Sequence, residues 1–271
     1  MNDNQPIGIF DSGVGGLSVW REIAAQLPHE DTLYFADQIH IPYGPRSLDQ
    51  IRSFSEAITR YLIARGAKLI VVACNAASAA ALRHLRATFP EMPFVGMEPA
   101  VKPAAEQTHT GVVGVLATPA TFQGELFASV VERFANGVRL VKEICPGLVQ
   151  QVEAGRLNTP DTLAMLDRFL TPIRDANADK IVLACTHYPF VIDAIRQLVP
   201  GIDVIDPAPA IARQVHRVLS ERGLLASSER IGQHRFITSG ERVAFKQVLS
   251  VLTGVEADAR VAHWQVDRLV E

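Results

Sequence analysis

Two short stretches of this sequence place a thiol at the end of an apolar run. In "LIVVACNAASAA", residues 69–80, four aliphatic residues lead through Ala73 to Cys74, then to Asn75 and a helical pattern. In "KIVLACTHYPF", residues 180–190, the same build ends in Cys185, followed by Thr186 and His187, and Pro189 turns the chain toward what reads as a helix. Cys74 and Cys185 stand at equivalent points 111 positions apart. A lone cysteine after a buried strand is usually inert and packs as a small hydrophobe, but two at matching points are harder to dismiss. In open parallel sheets ligands bind beyond the carboxyl ends of the strands, so these thiols could face one ligand across a cleft. Matched acid–base groups on opposite sides of one carbon suit stereoinversion, in which one group removes a proton and the other returns one to the opposite face. Only the thiolate is the base, and a cysteine at its ordinary pKa of about 8.5 is a minority thiolate at neutral pH. A helix N-terminus after each cysteine would favour the anion. Asp11 and His187 are the polar groups suited to shuttle or tune these protons. Cys145, in "EICPGL", shows no such repeat and reads as structural.

Other chemistries fit less well. Zinc sites favour a C-x₂₋₄-C knuckle, which is absent, so no metal is expected. His187 is only two residues from Cys185, whereas Cys–His nucleophile pairs draw the histidine from far along the chain. Disulfide exchange would prefer C-x-x-C. In "FDSGVGGLSV" the glycines resemble a phosphate-cradling turn, but Ser18 stands where the third glycine of G-x-G-x-x-G belongs, and the Walker lysine is missing. What remains is Asp11, Ser12 and bare amides at a helix start. That is either a carboxylate-binding edge or a tight turn capped by Asp11. In "IPYGPRS", Tyr43 sits between turn residues, and Gly44 could let backbone approach a ligand closely. Glu153, in "QVEAGRL", reads from pattern alone as a solvated surface acid.

The elements that must position these groups alternate as βαβ units. Strands are expected at 7–10, 31–37 and 69–73, with a helix from Leu17. Ser47 and Gln50 form a capping-box pattern. Ile51, Phe54, Ile58, Tyr61 and Leu62 then recur at helical spacing, and Gly66 suits the helix end. "GVVGVLATPATF" reads as a fresh strand and turn that places Thr118 where Ser12 stood. Thr159-Pro160 starts a helix whose buried side is Leu163, Leu166, Phe169, Leu170 and Ile173. "HRFITS" and "VAHWQV" add strands around a helix at 240–253, and this tail is expected to return to the first half. The Pro-rich "MEPAVKP" (97–103) and "IDPAPA" (205–210) are candidate crossovers. The chain therefore reads as two diverged α/β halves with mainly parallel sheets. Residues 1–98 and 209–271 form the first, with Cys74, and residues 99–208 the second, with Cys185.

Composition sets limits. The 271 residues are 48% hydrophobic and 20% charged, with a net charge of −3, which suits a globular chain with a full core. No basic block supports nucleic-acid binding. "MNDNQPIGIF" lacks a basic n-region and does not read as a signal peptide. No apolar run approaches the roughly 18 residues of a membrane span. Three cysteines do not make a disulfide framework, and a reducing cytoplasm is the expected location.

As a set, "GIFDSGVGGLSV", "YFADQIHIPYG", "ACNAASA", "GVLATPATF" and "ACTHYPF" closely resemble the glutamate racemases of the cofactor-independent aspartate/glutamate racemase superfamily. The resemblance implies two similar α/β domains related by pseudo-twofold symmetry, with the active site in the cleft between them. It implies interconversion of L- and D-glutamate without pyridoxal phosphate or metal, supply of D-glutamate for peptidoglycan, and commonly a homodimer. Carried over by motif, Cys74 looks like the base that works on D-glutamate and Cys185 the base that works on L-glutamate. Asp11 and His187 look like their assistants, Asp11 and His187 also touching substrate, and Glu153 looks like a further auxiliary acid. Ser12, Tyr43, Gly44, Asn75, Ala76, Thr118, Thr121 and Thr186 look like substrate-binding positions. Ala76 is a departure, since the family usually has Thr after the Cys-Asn step. A hydroxyl donor is gone, while the backbone N–H remains. Three rivals follow: an aspartate or other carboxylate racemase of the same superfamily, a pyridoxal-phosphate racemase using one of Lys68, Lys102, Lys142, Lys180 or Lys246, and a non-catalytic carboxylate binder.

Overall fold

The computed structural model describes residues 3–270. The first sheet receives β1 (Ile7–Asp11), β2 (Thr32–Ala36), β3 (Leu69–Val72) and β4 (Phe94–Gly96), joined by α1 (Leu17–Gln26), α2 (Leu48–Ala64) and α3 (Asn75–Thr88). After α4 (Val101–Gln107) the second sheet receives β5 (Val112–Ala117), β6 (Arg139–Ile144), β7 (Lys180–Ala184) and β8 (Asp203–Ile205). Between these strands run α5 (Pro119–Gln123), α6 (Glu125–Phe134), α7 (Leu148–Glu153), α8 (Pro160–Asp175) and α9 (Ile192–Leu198). Then α10 (Ala208–Glu221) packs against α1 and β4. The chain adds β9 (His234–Thr238) and β10 (Ala259–Val261) to the first sheet, on either side of α11 (Arg242–Thr253). A small antiparallel hairpin, β11 (His263–Gln265) and β12 (Arg268–Val270), follows.

Both main sheets are parallel throughout. Their orders are β10-β9-β2-β1-β3-β4 and β6-β5-β7-β8. The arrangement β2-β1-β3-β4 thus recurs as β6-β5-β7-β8, which is the duplicated α/β build expected from the sequence. The strands that lead into the two cysteines, β3 and β7, hold the same place in their sheets. In the first sheet β1 sits between β2 and β3, so the chain winds in opposite directions from it. The ends of β1 and β3 flank a topological switch point, the place where such sheets bind ligands. Asp11 ends β1 and Cys74 follows β3.

Local signals explain the elements. Every residue of β1 and β3 is buried, as their unbroken apolar runs require of strands covered on both faces. Ser47 Oγ accepts from the Gln50 amide at 3.3 Å and the Gln50 side chain accepts from the Ser47 amide at 3.2 Å, completing the capping box. Gly66 ends that helix with φ of +83°. Thr159 Oγ1 caps α8 by accepting from the Thr162 amide at 3.3 Å, and Leu166, Phe169, Leu170 and Ile173 face inward. One apolar cluster runs from the α1/α10/α11 side of the first sheet to the α8/α9 side of the second and joins the two.

Two expectations need correction. "VAHWQV" is not one strand: β10 ends at Val261, buried Ala262 intervenes, and His263–Gln265 pairs only with β12, which packs on α2. The segment after Cys185 is a single 3-10 turn, Tyr188–Val191, before the short α9. The helix-terminus stabilisation expected for both cysteines therefore holds for Cys74 alone.

Candidate active site

Cys74 is the N-cap of α3, in extended conformation, and its sulfur accepts from the Ala77 amide at 3.5 Å. Behind it lies Asp11, fully buried. One Asp11 oxygen accepts from the amides of Gly13 at 3.1 Å and Gly16 at 3.0 Å, while Oδ1 has no protein partner among the described residues. Burial raises the Asp11 pKa, against the opposing pull of His187 and the Gly16 amide. Burial and then the Asp11 charge push the Cys74 thiol well above its ordinary value. Raised in this way beside the Asp11 carboxyl, the sulfur on this side of the site is held as a thiol rather than a thiolate.

The Cys185 side is built differently. His187 Nδ1 lies 3.8 Å from the Cys185 sulfur, and His187 Nε2 lies 2.7 Å from Glu153 Oε1. Burial opposes a charge on His187, but hydrogen bonds to Cys185 and Glu153 outweigh it and hold the imidazole pKa well above its usual value. The ring thus stands beside the Cys185 sulfur, on the side where no helix N-terminus does. Glu153 is no solvated acid: its side chain is 13% exposed and also accepts from the Val14 amide at 2.7 Å and from Gln38 Nε2 at 3.0 Å. Its position on α7 puts it behind His187 as Asp11 stands behind Cys74.

The glycine turn after β1 resolves the two readings left open for it. The amides of Gly13, Val14 and Gly16 are spent on Asp11 and Glu153, the protein's own carboxylates. A Cβ on Gly15 would collide with the His187 ring, and one on Gly13 with Glu153. Gly13 and Gly15 are bare because side chains from the second sheet's side press against them, and Gly16 because Asp11, Ala73 and Tyr34 of its own sheet do. Ser18, in the place of a third glycine, bonds to the carbonyls of Gly15 and Thr186, each at 2.9 Å.

One cavity of about 20 Å³ lies between the sheets. Ser12, Tyr43, Gly44, Cys74, Asn75 and Ala76 line it from the first sheet's side. Thr118, Thr121, Cys185, Thr186 and His187 line it from the second, with Pro42 and Val149 as apolar members that the sequence did not single out. Both cysteines thus open onto the same space from opposite sides. Asp11 and Glu153 do not line it; they stand one layer back. Asp11, expected to touch substrate, has one oxygen committed to two amides and the other buried. Tyr43 lines the cavity, but its hydroxyl is committed to Asp37 Oδ2 at 2.6 Å. Asp37 also accepts from Ser239, His40 and Trp264, which anchors the loop carrying Tyr43 and Gly44. Gly44 packs on Thr118, and its carbonyl accepts from the Ala120 amide at 3.0 Å.

Both side-chain atoms of Asn75 are buried without a hydrogen-bond partner among the described residues. Leaving an amide in that state is costly, and the residue lies on the cavity wall. None of the five lysines lines the cavity, and Lys68 is fully buried in an ion pair with Glu30 at 2.6 Å. Cys145 is buried, and its thiol pKa is pushed up to about 12, chiefly by burial, as suits an inert packing residue.

Residues 7–215 match the Asp/Glu/Hydantoin racemase family. A glutamate racemase of Roseiflexus sp. (strain RS-1) is 50% identical over 248 residues, covering 90% of this chain and 91% of the relative. The crystal structure of glutamate racemase isoform RacE1 from Bacillus anthracis superposes with a TM-score of 0.86 at 30% identity, covering 98% of this chain and 100% of that one. The Escherichia coli glutamate racemase, solved with L-glutamate and the activator UDP-MurNAc-ala, gives a TM-score of 0.83 at 32% identity, covering 98% and 100%. With the paired cysteines on one cavity and these likenesses along nearly its whole length, the chain belongs to the Asp/Glu/Hydantoin racemase family.

Proposed function

We propose that this protein interconverts L- and D-glutamate by a two-base mechanism that uses no cofactor. The observation that carries the reading is the shared cavity: Cys74 and Cys185 leave equivalent strands of two similar sheets and open onto one small space. The Cys185 thiolate, beside the His187 imidazolium, takes the Cα proton of L-glutamate. The Cys74 thiol, backed by Asp11, gives its proton to the opposite face of the carbanion. D-glutamate leaves with Cys74 as thiolate and Cys185 as thiol, and the reverse reaction starts from that form. Asn75, with the hydroxyls of Ser12, Thr118, Thr121 and Thr186 and the backbone at Gly44 and Ala76, holds the substrate carboxylates. Their donors strengthen as charge builds in the transition state.

A lysine Schiff base lacks support, because no lysine reaches the cavity. A space of about 20 Å³ admits a water but not a five-carbon diacid. In this reading residues 1–98 with 209–271, and residues 99–208, are domains that part to admit substrate. The same reading makes the protein a cytoplasmic homodimer that supplies D-glutamate for peptidoglycan. Among the described residues no helix is long and apolar enough to cross a membrane.

The test is solvent exchange. Each glutamate enantiomer is incubated in D₂O with protein and no added cofactor, and inversion and Cα deuteration are followed together. Deuterium should enter the product enantiomer. Neither inversion nor exchange would leave a binding protein, and a strong preference for aspartate would overturn the substrate.

A further inference from the structure

The Glu153 carboxylate is held from three sides. Its Oε1 takes the Val14 amide and the His187 ring, and its Oε2 takes the Gln38 amide. Gln38 is half-buried at the start of the short turn Gln38–His40, next to β2 in the first sheet, so this bond reaches across to the element that carries Glu153. The Gln38 side chain is itself oriented. Thr238, fully buried at the end of β9, donates its hydroxyl to Gln38 Oε1 at 2.8 Å and accepts from the Gly240 amide at 2.9 Å. With its lone pair engaged by Gly240, Thr238 presents a proton to Gln38. The Gln38 oxygen therefore turns to Thr238, and its NH₂ turns to Glu153.

We infer that Gln38 is a positioning residue for the Cys185 half of the reaction, acting through Glu153 and His187, with Thr238 setting its orientation. This rests on the two-base reading above. Rotation about the last bond of a glutamate side chain is soft. Without Gln38, Oε2 loses its donor, and the carboxylate, then steadied by the Val14 amide alone besides the ring, turns more freely and holds His187 Nε2 less well. The groups facing His187 are Glu153 from α7, Cys185 on its own turn, and Asp11 from the end of β1 with Cys74 beyond it. Of these only Glu153 can be released by a change at Gln38. Gln38 thus decides whether the imidazole keeps its charge beside the Cys185 sulfur, while the Asp11–Cys74 pair is left intact.

Gln38→Met keeps the length and removes the amide. It should lower kcat about tenfold in both directions with KM changed by less than about threefold, and His187 should titrate at lower pH by NMR. Because L- and D-glutamate are equally stable, kcat/KM must fall equally for both; the asymmetry appears in isotope effects. The Cα-deuterium effect should rise with L-glutamate, where the weakened Cys185 abstracts the proton. It should fall with D-glutamate, where Cys185 only returns one. Thr238→Val should move each readout the same way by less, and Thr238→Ser, which keeps the hydroxyl, should recover most of the loss. Unchanged isotope effects with His187 titrating as in the wild type would overturn the assignment, whether or not turnover fell. Failure of the wild type to racemise glutamate would instead sink the two-base reading, and the His187 titration would still decide the linkage.

Discussion

Glu153 Oε1 stands 2.7 Å from His187 Nε2, although the two residues lie on different elements of the second sheet's side. The contact converts a histidine two residues from a cysteine into a buried cation pressed on that sulfur. It also makes the two halves of the site unlike: Cys74 relies on a helix start and Asp11, Cys185 on an imidazole and Glu153. The two sulfurs that face the cavity are thus backed by different chemistry, an amide and a carboxyl on one side and an imidazole on the other.

Replacing either thiol separates inversion from exchange. Cys74→Ser and Cys185→Ser should each lower racemisation by roughly 10² to 10⁴, because a hydroxyl is a far weaker acid. Cys74→Ser should still exchange the Cα proton of L-glutamate with D₂O without inverting it, and Cys185→Ser should do so with D-glutamate. Mass spectrometry of each recovered enantiomer checks this. Exchange with the opposite enantiomer in each variant would reverse the assignment of the bases.

Asp11 trades stability for chemistry. Its folded pKa lies above the ordinary 3.8, so the folded state binds a proton more readily than the unfolded chain does. Asp11 therefore destabilises the fold once pH exceeds its folded pKa, and this penalty fades as pH falls toward 3.8. Asp11→Asn can still accept from Gly13 and Gly16. It should be more stable than the wild type at pH 7, with the gap closing on acidification, while turnover drops. Urea melts across pH measure the gap.

The His187–Glu153 pair has its own pH signature. A histidine whose folded pKa is raised adds stability that is fully present below its unfolded value of about 6.5 and is lost as pH rises through the folded pKa. Glu153→Gln removes the charge that helps to raise it. The stability difference from the wild type should be largest below about pH 6.5, near 3 kcal/mol for a broken buried pair, and should shrink at alkaline pH. A difference that is constant with pH would mean that His187 is not the charged partner.

Gly15→Ala tests the contact between the two sides of the cleft. The added methyl meets the His187 ring, so the closed site cannot form as it stands. Activity should fall by about two orders of magnitude or more, as expected for misplacing a catalytic group by an ångström. The melting temperature should fall less than the activity does, because the methyl meets a side chain of the other sheet across the cleft rather than backbone within its own sheet. Parallel assays and thermal melts check it. An active Gly15→Ala enzyme would mean that the ring moves aside during turnover.

Much of the fold is legible because its causes are local. The Ser47–Gln50 box, the Thr159-Pro160 start and the apolar runs of β1, β3 and β7 each depend on residues a few positions apart, where side-chain and backbone preferences act directly. The cysteines at matched strand ends are legible for the same reason. Glu153, Gln38 and Ser18 were not read correctly or at all from pattern, since a polar residue beside a turn looks the same whether water or a buried histidine will meet it. Their partners are remote: Gln38 lies 115 positions from Glu153, Val14 lies 139 from Glu153, and Thr238 lies 200 from Gln38. The family resemblance marked Glu153 as an acid of interest but gave no place for Gln38.

By itself the sequence determined that parallel sheets would form and that each half would carry a thiol at the end of a buried strand, because hydrophobic periodicity and capping act over one or two turns of chain. The tertiary structure alone decided that both sulfurs open onto one cavity, that the glycine amides serve Asp11 and Glu153, and that an imidazole stands at Cys185 where no helix end does. Those outcomes depend on how two sheets face each other, and a buried charge takes its properties from whatever that packing brings within a few ångströms.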